Sequence, residues 1–175
     1  MTDQERLATP AVGRCPVYGL LDNIRSAWNV GSMFRTADAA GLGGLYLCGM
    51  TATPPRPDLE KTALGASANV PWDYWRHTPE AIAAIRRRGI QVVALELTDT
   101  AAPYDVFPYR FPMCFVVGHE VGGVDRSVLA ACDAHVSIPM HGAKESLNVA
   151  VSFGIMAYAA RRAWEAQAIS SSRQA

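Results

Sequence analysis

The sequence predicts an α/β domain, a single unit with a mostly parallel sheet flanked by helices. Three observations predict it. Short apolar runs of strand length alternate with segments whose apolar residues repeat at helical spacing. No internal repeat or linker-like stretch divides the 175 residues, which suffice for one domain with a real core. Half of the residues are apolar and 18% are charged, the balance of a folded chain. Such alternation builds βα units, whose strands pair in parallel and are covered on both faces.

The first expected strand is Val17–Leu21. The helix Asn29–Ala40 follows, with Val30, Met33, Phe34, Ala37 and Ala40 on one side. Asn29 is placed to cap it. Arg35 lies off the apolar stripe, and Gly31, one turn earlier, leaves a notch without a side chain. A second strand is expected at Gly44–Cys48. The stretch TATPPRPD then reads as a proline-rich loop that orders only around a ligand or partner. The helix Pro79–Arg88 leads to strands at Gln91–Leu97 and Met113–Gly118. The helix Arg126–Ala131 and the strand His135–Pro139 come next. The last helix, Ser146–Ala166, carries one apolar stripe on Leu147, Val151, Ile155 and Tyr158. Val149, Ala150, Phe153, Met156 and Ala157 make much of its remaining surface apolar too. Such a helix must be buried on more than one side. Either it is the central helix of a monomer or it meets a second subunit. The expected domain is 17–168, with an N-terminal arm at 1–16 and a frayed tail at 169–175.

Bulk properties exclude some classes. Formal net charge is zero, which speaks against a strongly basic nucleic-acid binder but leaves room for a local patch. Cys15, Cys48, Cys114 and Cys132 form no CxxC pair and read as buried reduced thiols, which suits a cytoplasmic protein. The polar start, MTDQERLATPAVGR, lacks the apolar core of a signal peptide, and no apolar run approaches a membrane span. HEVGG lacks the second histidine of a zinc-protease helix. His135 and His141 have no Cys or carboxylate at ligand spacing, so no metal is expected. The dinucleotide, P-loop and nucleophile-elbow motifs are absent.

Three segments remain: Asn23–Gly41, Phe115–Asp125 and Ser137–Gly154. In the latter two, an apolar strand ends in a glycine-rich loop carrying a few polar residues. In open α/β sheets, ligands bind beyond the carboxyl ends of the strands. The polar residues that could carry chemistry are Asn29, Arg35, Glu120, Ser146 and Asn148. Each has a plainer alternative. Asn29 and Ser146 could cap helices, and Arg35 could pair with Asp38. Glu120 could be a solvated carboxylate, and Asn148 could bond nearby backbone.

Taken together, the segments resemble the motifs of the SpoU (TrmH-like) branch of the SPOUT RNA methyltransferases. The pattern N-x-R-x-x-x-N-x-G-x-x-x-R-T-A-D falls on Asn23, Arg25, Asn29, Gly31, Arg35, Thr36, Ala37 and Asp38. G-x-E-x-x-G falls on Gly118, Glu120 and Gly123. I-P-M-x-G-x-x-x-S-L-N-V falls on Ile138 to Met140, Gly142 and Ser146 to Val149. The order is right, and the motifs span Asn23 to about Gly154.

The resemblance implies a SPOUT fold with a C-terminal deep trefoil knot, an exception to ordinary connection rules. It implies S-adenosylmethionine as cofactor, held by Gly118, Ile138, Leu147, Met140 and Leu97. It implies a homodimer pairing through the knot-side helices, which chooses between the two readings of the last helix. The implied reaction is methyl transfer to a ribose 2′-hydroxyl of tRNA or rRNA, with tRNA placed slightly ahead. Arg35 would position and polarise the nucleotide, because a guanidinium is always protonated and is a poor base. The Gly31 notch would admit the ribose. Asn29 would orient Arg35, Glu120 would hold Arg35 or nearby backbone, and Ser146 and Asn148 would order the third loop. Many relatives carry an extra RNA-binding domain before this motif, so here the catalytic dimer itself would grip RNA. Arg56, Lys61, Arg76, Arg86, Arg87, Arg88, Arg110 and Lys144 are the available cations. Two other readings stay open: an RNA-binding relative without activity, and a methyltransferase on a non-RNA acceptor.

Overall fold

The computed structural model describes residues 12–172. Among them, seven strands form one sheet: β1 (Cys15–Asp22), β2 (Leu42–Cys48), β3 (Trp72–Trp75), β4 (Gln91–Leu95), β5 (Ala102–Pro103), β6 (Met113–Val117) and β7 (Ala134–Ser137). Their spatial order is β3-β2-β1-β6-β4-β7-β5, and every adjacent pair is parallel. The helices are α1 (Ala27–Ala39), α2 (Pro57–Ala63), α3 (Ala66–Asn69), α4 (Thr78–Arg87), α5 (Arg126–Ala131) and α6 (Val149–Ser172).

Strand alternation sorts the core into two layers. Val17 and Leu21 of β1 face one layer, with Met33 and Phe34 of α1 and Phe153 and Met156 of α6. Tyr18 and Leu20 face the other, with Ile82 and Ile85 of α4 and Val128 of α5. Gly19, on the α6 side, has its reason in packing. A Cβ there would sit 2.7 Å from the Phe153 ring.

The expected strands and longer helices are present, with shifted ends. α1 starts at Ala27, and the Ser26 hydroxyl caps it by accepting from the Asn29 N–H at 3.3 Å. Asn29 is therefore inside the helix, because serine sits where the backbone is still extended. β4 ends at Leu95 and β7 at Ser137, so Leu97 and Ile138 belong to loops. α6 starts at Val149 and stays helical through Ser172, into the expected tail. Four elements have no counterpart in the sequence reading: α2, α3, β3 and β5. The proline-rich loop runs directly into α2, with Pro57 in its first turn, and α2 packs on α1. β3, WDYW, is a short edge strand without clean alternation.

Two insertions shape the carboxyl edge of the sheet. β6 enters between β1 and β4, and β7 enters between β4 and β5. The segment joining β4 to β5 crosses β7 on the α5 side. There Thr98 Oγ1 lies 3.3 Å from His135 Nδ1, and His135 Nε2 lies 3.0 Å from the Leu129 carbonyl. The chain then leaves β7 for α6 on the opposite face. No helix among the described residues is long and apolar enough to cross a membrane. All four cysteines are free. Burial pushes the Cys48 and Cys132 thiols up to about 12 and Cys114 further in the same direction.

Candidate active site

The loops after β1, β6 and β7 converge beyond the carboxyl edge of the sheet, where the strand order places a crevice. Glu120, in the loop after β6, is the hub. Its Oε2 accepts from the Arg25 N–H at 2.9 Å. Its Oε1 accepts from the Ser26 N–H at 2.9 Å and from the Asn29 side-chain amide at 3.1 Å. The two N–H groups lead into α1, where unpaired donors favour an anion. Burial raises the Glu120 pKa, but these hydrogen bonds outweigh it and hold the carboxyl below its ordinary range.

Asn148 joins the third loop to the same cluster. Its Oδ1 accepts from the N–H groups of Ala150 and Val151, at 2.9 and 3.3 Å, and so caps α6. Its Nδ2 donates to Asn29 Oδ1 at 3.3 Å. Asn29 thus uses both ends of its amide, one on Glu120 and one on Asn148. One residue from each motif meets here, although Asn29 and Asn148 are 119 positions apart.

Three expectations change and a fourth narrows. Asn148, and not Ser146, caps α6. Of its two expected roles Glu120 takes the second, holding nearby backbone at Arg25 and Ser26 together with Asn29, and not Arg35. Arg35 does not pair with Asp38, whose carboxylate is taken by Arg14 at 2.7 Å. Arg35 is exposed and, among the described residues, has no hydrogen-bond or ion-pair partner. Finally, the Gly31 notch is filled. A Cβ there would lie 2.1 Å from Thr62 Oγ1 and 2.2 Å from the Leu59 carbonyl oxygen of α2. Gly31 exists so that α1 and α2 can touch.

Beside the Glu120 cluster lies a cavity of about 320 Å³. Gly118, Ile138, Leu147, Leu97 and Met140 all line it, as do Ser146 and Glu120. Gly118 is required by close backbone contact, because a Cβ would sit 2.4 Å from the main chain of Gly123. His119 and Gly123 exchange two backbone hydrogen bonds, at 3.0 and 2.8 Å, and so close that loop. Glu96, which the sequence reading passed over, accepts from the N–H groups of Val124 and Leu97, each at 2.9 Å. The sequence reading placed it inside the strand Gln91–Leu97, where a carboxylate in an apolar run was the available signal. The lining includes three carboxylates, Glu96, Glu120 and Glu145, and no lysine or arginine. That charge balance suits a cationic ligand with an apolar portion and suits a phosphate-bearing nucleotide poorly. Among the described residues, no group of three or more His, Cys, Asp or Glu could hold a metal ion.

The sequence model described as the SpoU rRNA Methylase family matches residues 16–158. A 23S rRNA (guanosine(2553)-2′-O)-methyltransferase, RlmP, of Bacillus subtilis (strain 168) is 34% identical over 139 residues, which are 79% of this chain and 55% of that protein. A tRNA (guanosine(18)-2′-O)-methyltransferase of Escherichia coli (strain K12) is 30% identical over 145 residues, 81% of this chain and 61% of that protein. The chain thus spans little more than half the length of these relatives. The crystal structure of an AdoMet-bound rRNA methyltransferase from Sinorhizobium meliloti superposes with a TM-score of 0.80 at 32% identity. It covers 89% of this chain and 59% of that one.

Proposed function

We propose, from the premise that the chain belongs to the SpoU rRNA methylase family, that it methylates ribose 2′-hydroxyls of tRNA or rRNA with S-adenosylmethionine. One observation supports this above the others. The cavity lined by the loops after β4, β6 and β7 opens beside a hydrogen-bonded cluster, Glu120–Asn29–Asn148, drawn from all three motifs. Its carboxylates and aliphatic side chains fit a donor that carries a sulfonium and an adenine. Gly118, Leu97, Met140, Ile138 and Leu147 would hold that donor. When bound, S-adenosylmethionine supplies a methyl group on sulfur with a neutral thioether as leaving group.

The chain's own residues then position the acceptor. The 2′-oxygen would take the methyl group, the thioether would leave, and the hydroxyl proton would go to water or a substrate phosphate. Arg35 is exposed and has no partner among the described residues, so its five N–H donors are available to a phosphate and to the 2′-oxygen. It stays protonated throughout. Glu120 and Asn148 act through Asn29, whose amide they hold from both sides. Ser146, on the cavity wall, orders the third loop.

The same reading includes a homodimer, in which Arg35 serves the partner subunit's site. The exposed stripe Leu147, Val151 and Tyr158 beside α6's buried face supports it. The insertion of β7 between two strands already joined by the segment crossing it supports the trefoil knot. An RNA acceptor and four free thiols suit a cytoplasmic setting. The experiment is methyl incorporation from labelled S-adenosylmethionine into separate pools of unmodified tRNA and rRNA, with Arg35→Ala alongside. Label in one pool that disappears in the variant is expected. Cofactor binding without label in either pool would overturn the proposal in favour of a non-RNA acceptor or a binding protein.

A further inference from the structure

Trp28 stands next to Asn29 in the first turn of α1, yet 51% of its surface is exposed. An indole left half in water at the rim of a polar site has a large apolar face with nothing on it. Its surroundings make it rigid and cationic. The Trp28 carbonyl accepts from the Thr62 hydroxyl at 2.9 Å and from the Ser32 hydroxyl at 3.0 Å, which ties its backbone to α2. The Lys61 ammonium lies 5.5 Å from the ring centroid, a cation–π distance. One ammonium cannot cover both faces of an indole. Trp28, Ser32 and Arg35 follow each other at i, i+4 and i+7, so Trp28 and the exposed Arg35 share one side of α1. Arg25 and Arg56 are also exposed at the ends of the same helix pair. The acidic residues nearby belong to α2. Asp58 and Glu60 are partly buried, and Glu60 is held by the Ser67 hydroxyl.

We infer that Trp28 and Lys61 form a stacking platform for a base of the RNA strand, with Lys61 and Arg35 taking the adjacent phosphates. The inference rests on the RNA reading above. Every base has a π-face, so such a platform grips a strand without reading its sequence. Such a platform would add to the grip on RNA of a chain whose formal net charge is zero. It also places the nucleotide against Asn29, the residue adjoining Trp28 and the centre of the polar cluster.

The test uses fluorescence anisotropy with a labelled single-stranded RNA of about ten nucleotides, for which stacking needs no cognate sequence. Cofactor affinity is measured by calorimetry and oligomeric state by sedimentation. Trp28→Ala is expected to weaken RNA binding about 5- to 150-fold, while Trp28→Phe stays close to the parent. Lys61→Ala should lower the slope of log Kd against log salt by about 0.7. Neither change should alter S-adenosylmethionine affinity or the subunit count. If Trp28→Ala bound RNA as the parent does while the parent methylates RNA, the platform would be wrong and the methyltransferase reading would stand. If the loss came with dissociation into monomers, Trp28 would be an interface contact and the inference would fall. If the parent bound no RNA, both would fall together.

Discussion

Replacing Gly31 by alanine separates two accounts of the same residue. An open notch would accept a methyl group freely, and alanine would stabilise the helix by about 1 kcal/mol. The structure says otherwise. The new Cβ would sit 2.2 Å from the Leu59 carbonyl oxygen, 2.1 Å from Thr62 Oγ1 and 3.0 Å from the Ala63 nitrogen. Ordinary contact begins near 3.4 Å, so the Leu59 carbonyl would have to retreat by about 1.2 Å. Thr62 could rotate, but Leu59 and Ala63 present backbone, so α2 itself must move. Overpacking of this kind costs about 1–3 kcal/mol, and its backbone character puts it toward the upper end. Subtracting the helix-propensity gain leaves a net loss of about 1–2 kcal/mol. For a domain of this size that lowers Tm by roughly 2–8 °C. The assay is thermal unfolding at fixed protein concentration, with cofactor binding by calorimetry as control. No α1 residue lines the cavity, so cofactor affinity should hold. An unchanged or raised Tm would refute the packing account and return Gly31 to the role of an open notch.

Other outcomes follow from the Glu120 cluster and Arg35. Glu120→Gln should reduce methyl transfer about tenfold, roughly the worth of one part-exposed charge-assisted bond. Because the folded Glu120 pKa lies below the ordinary value, its stabilising effect is complete above about pH 5. It disappears as pH falls through the lowered value. The Tm gap between parent and Glu120→Gln should therefore close on acidification and stay constant at neutral pH. Asn148→Ala should cost about 1 kcal/mol through the lost α6 cap, and activity more steeply. Asn148→Asp keeps the cap but cannot donate to Asn29, so near-parent stability with low turnover is expected. High turnover in that variant would make Asn148 structural only. Arg35→Lys should leave Tm unchanged, since Arg35 has no partner to lose among the described residues, and should cut kcat by about tenfold or more. Near-parent kcat would exclude bidentate contact as its contribution.

The strands and longer helices were legible because each satisfies a local rule. β6 and β4 are continuous apolar runs buried on both faces, and α1 carries a clean apolar stripe. α2 and β3 were not legible. Their sequences, PDLEKTA and WDYW, are short and weakly patterned, and they exist because α1 and β2 offer surfaces to pack on. Part of the cavity wall was legible through the family motifs, whose order and spacing survive in the linear chain, while Glu96 was passed over. The partners of its polar residues were not. Glu120 was expected at Arg35 or at nearby backbone, and only folding chose the Arg25 and Ser26 N–H groups and Asn29, more than ninety positions away. Serine could have capped α6 by its type, but Asn148 does so because the third loop brings it to the helix start.

The sequence by itself determined the parallel α/β class and carried the family motifs. These depend on periodicity and residue type, which are local properties. The tertiary structure alone decided which hydrogen bonds join the three motifs, that Gly31 is filled by α2, and that Trp28 faces solvent above Lys61. Each depends on where a distant segment comes to rest. That placement follows from sheet order and helix packing, which act through contacts between residues far apart in the chain.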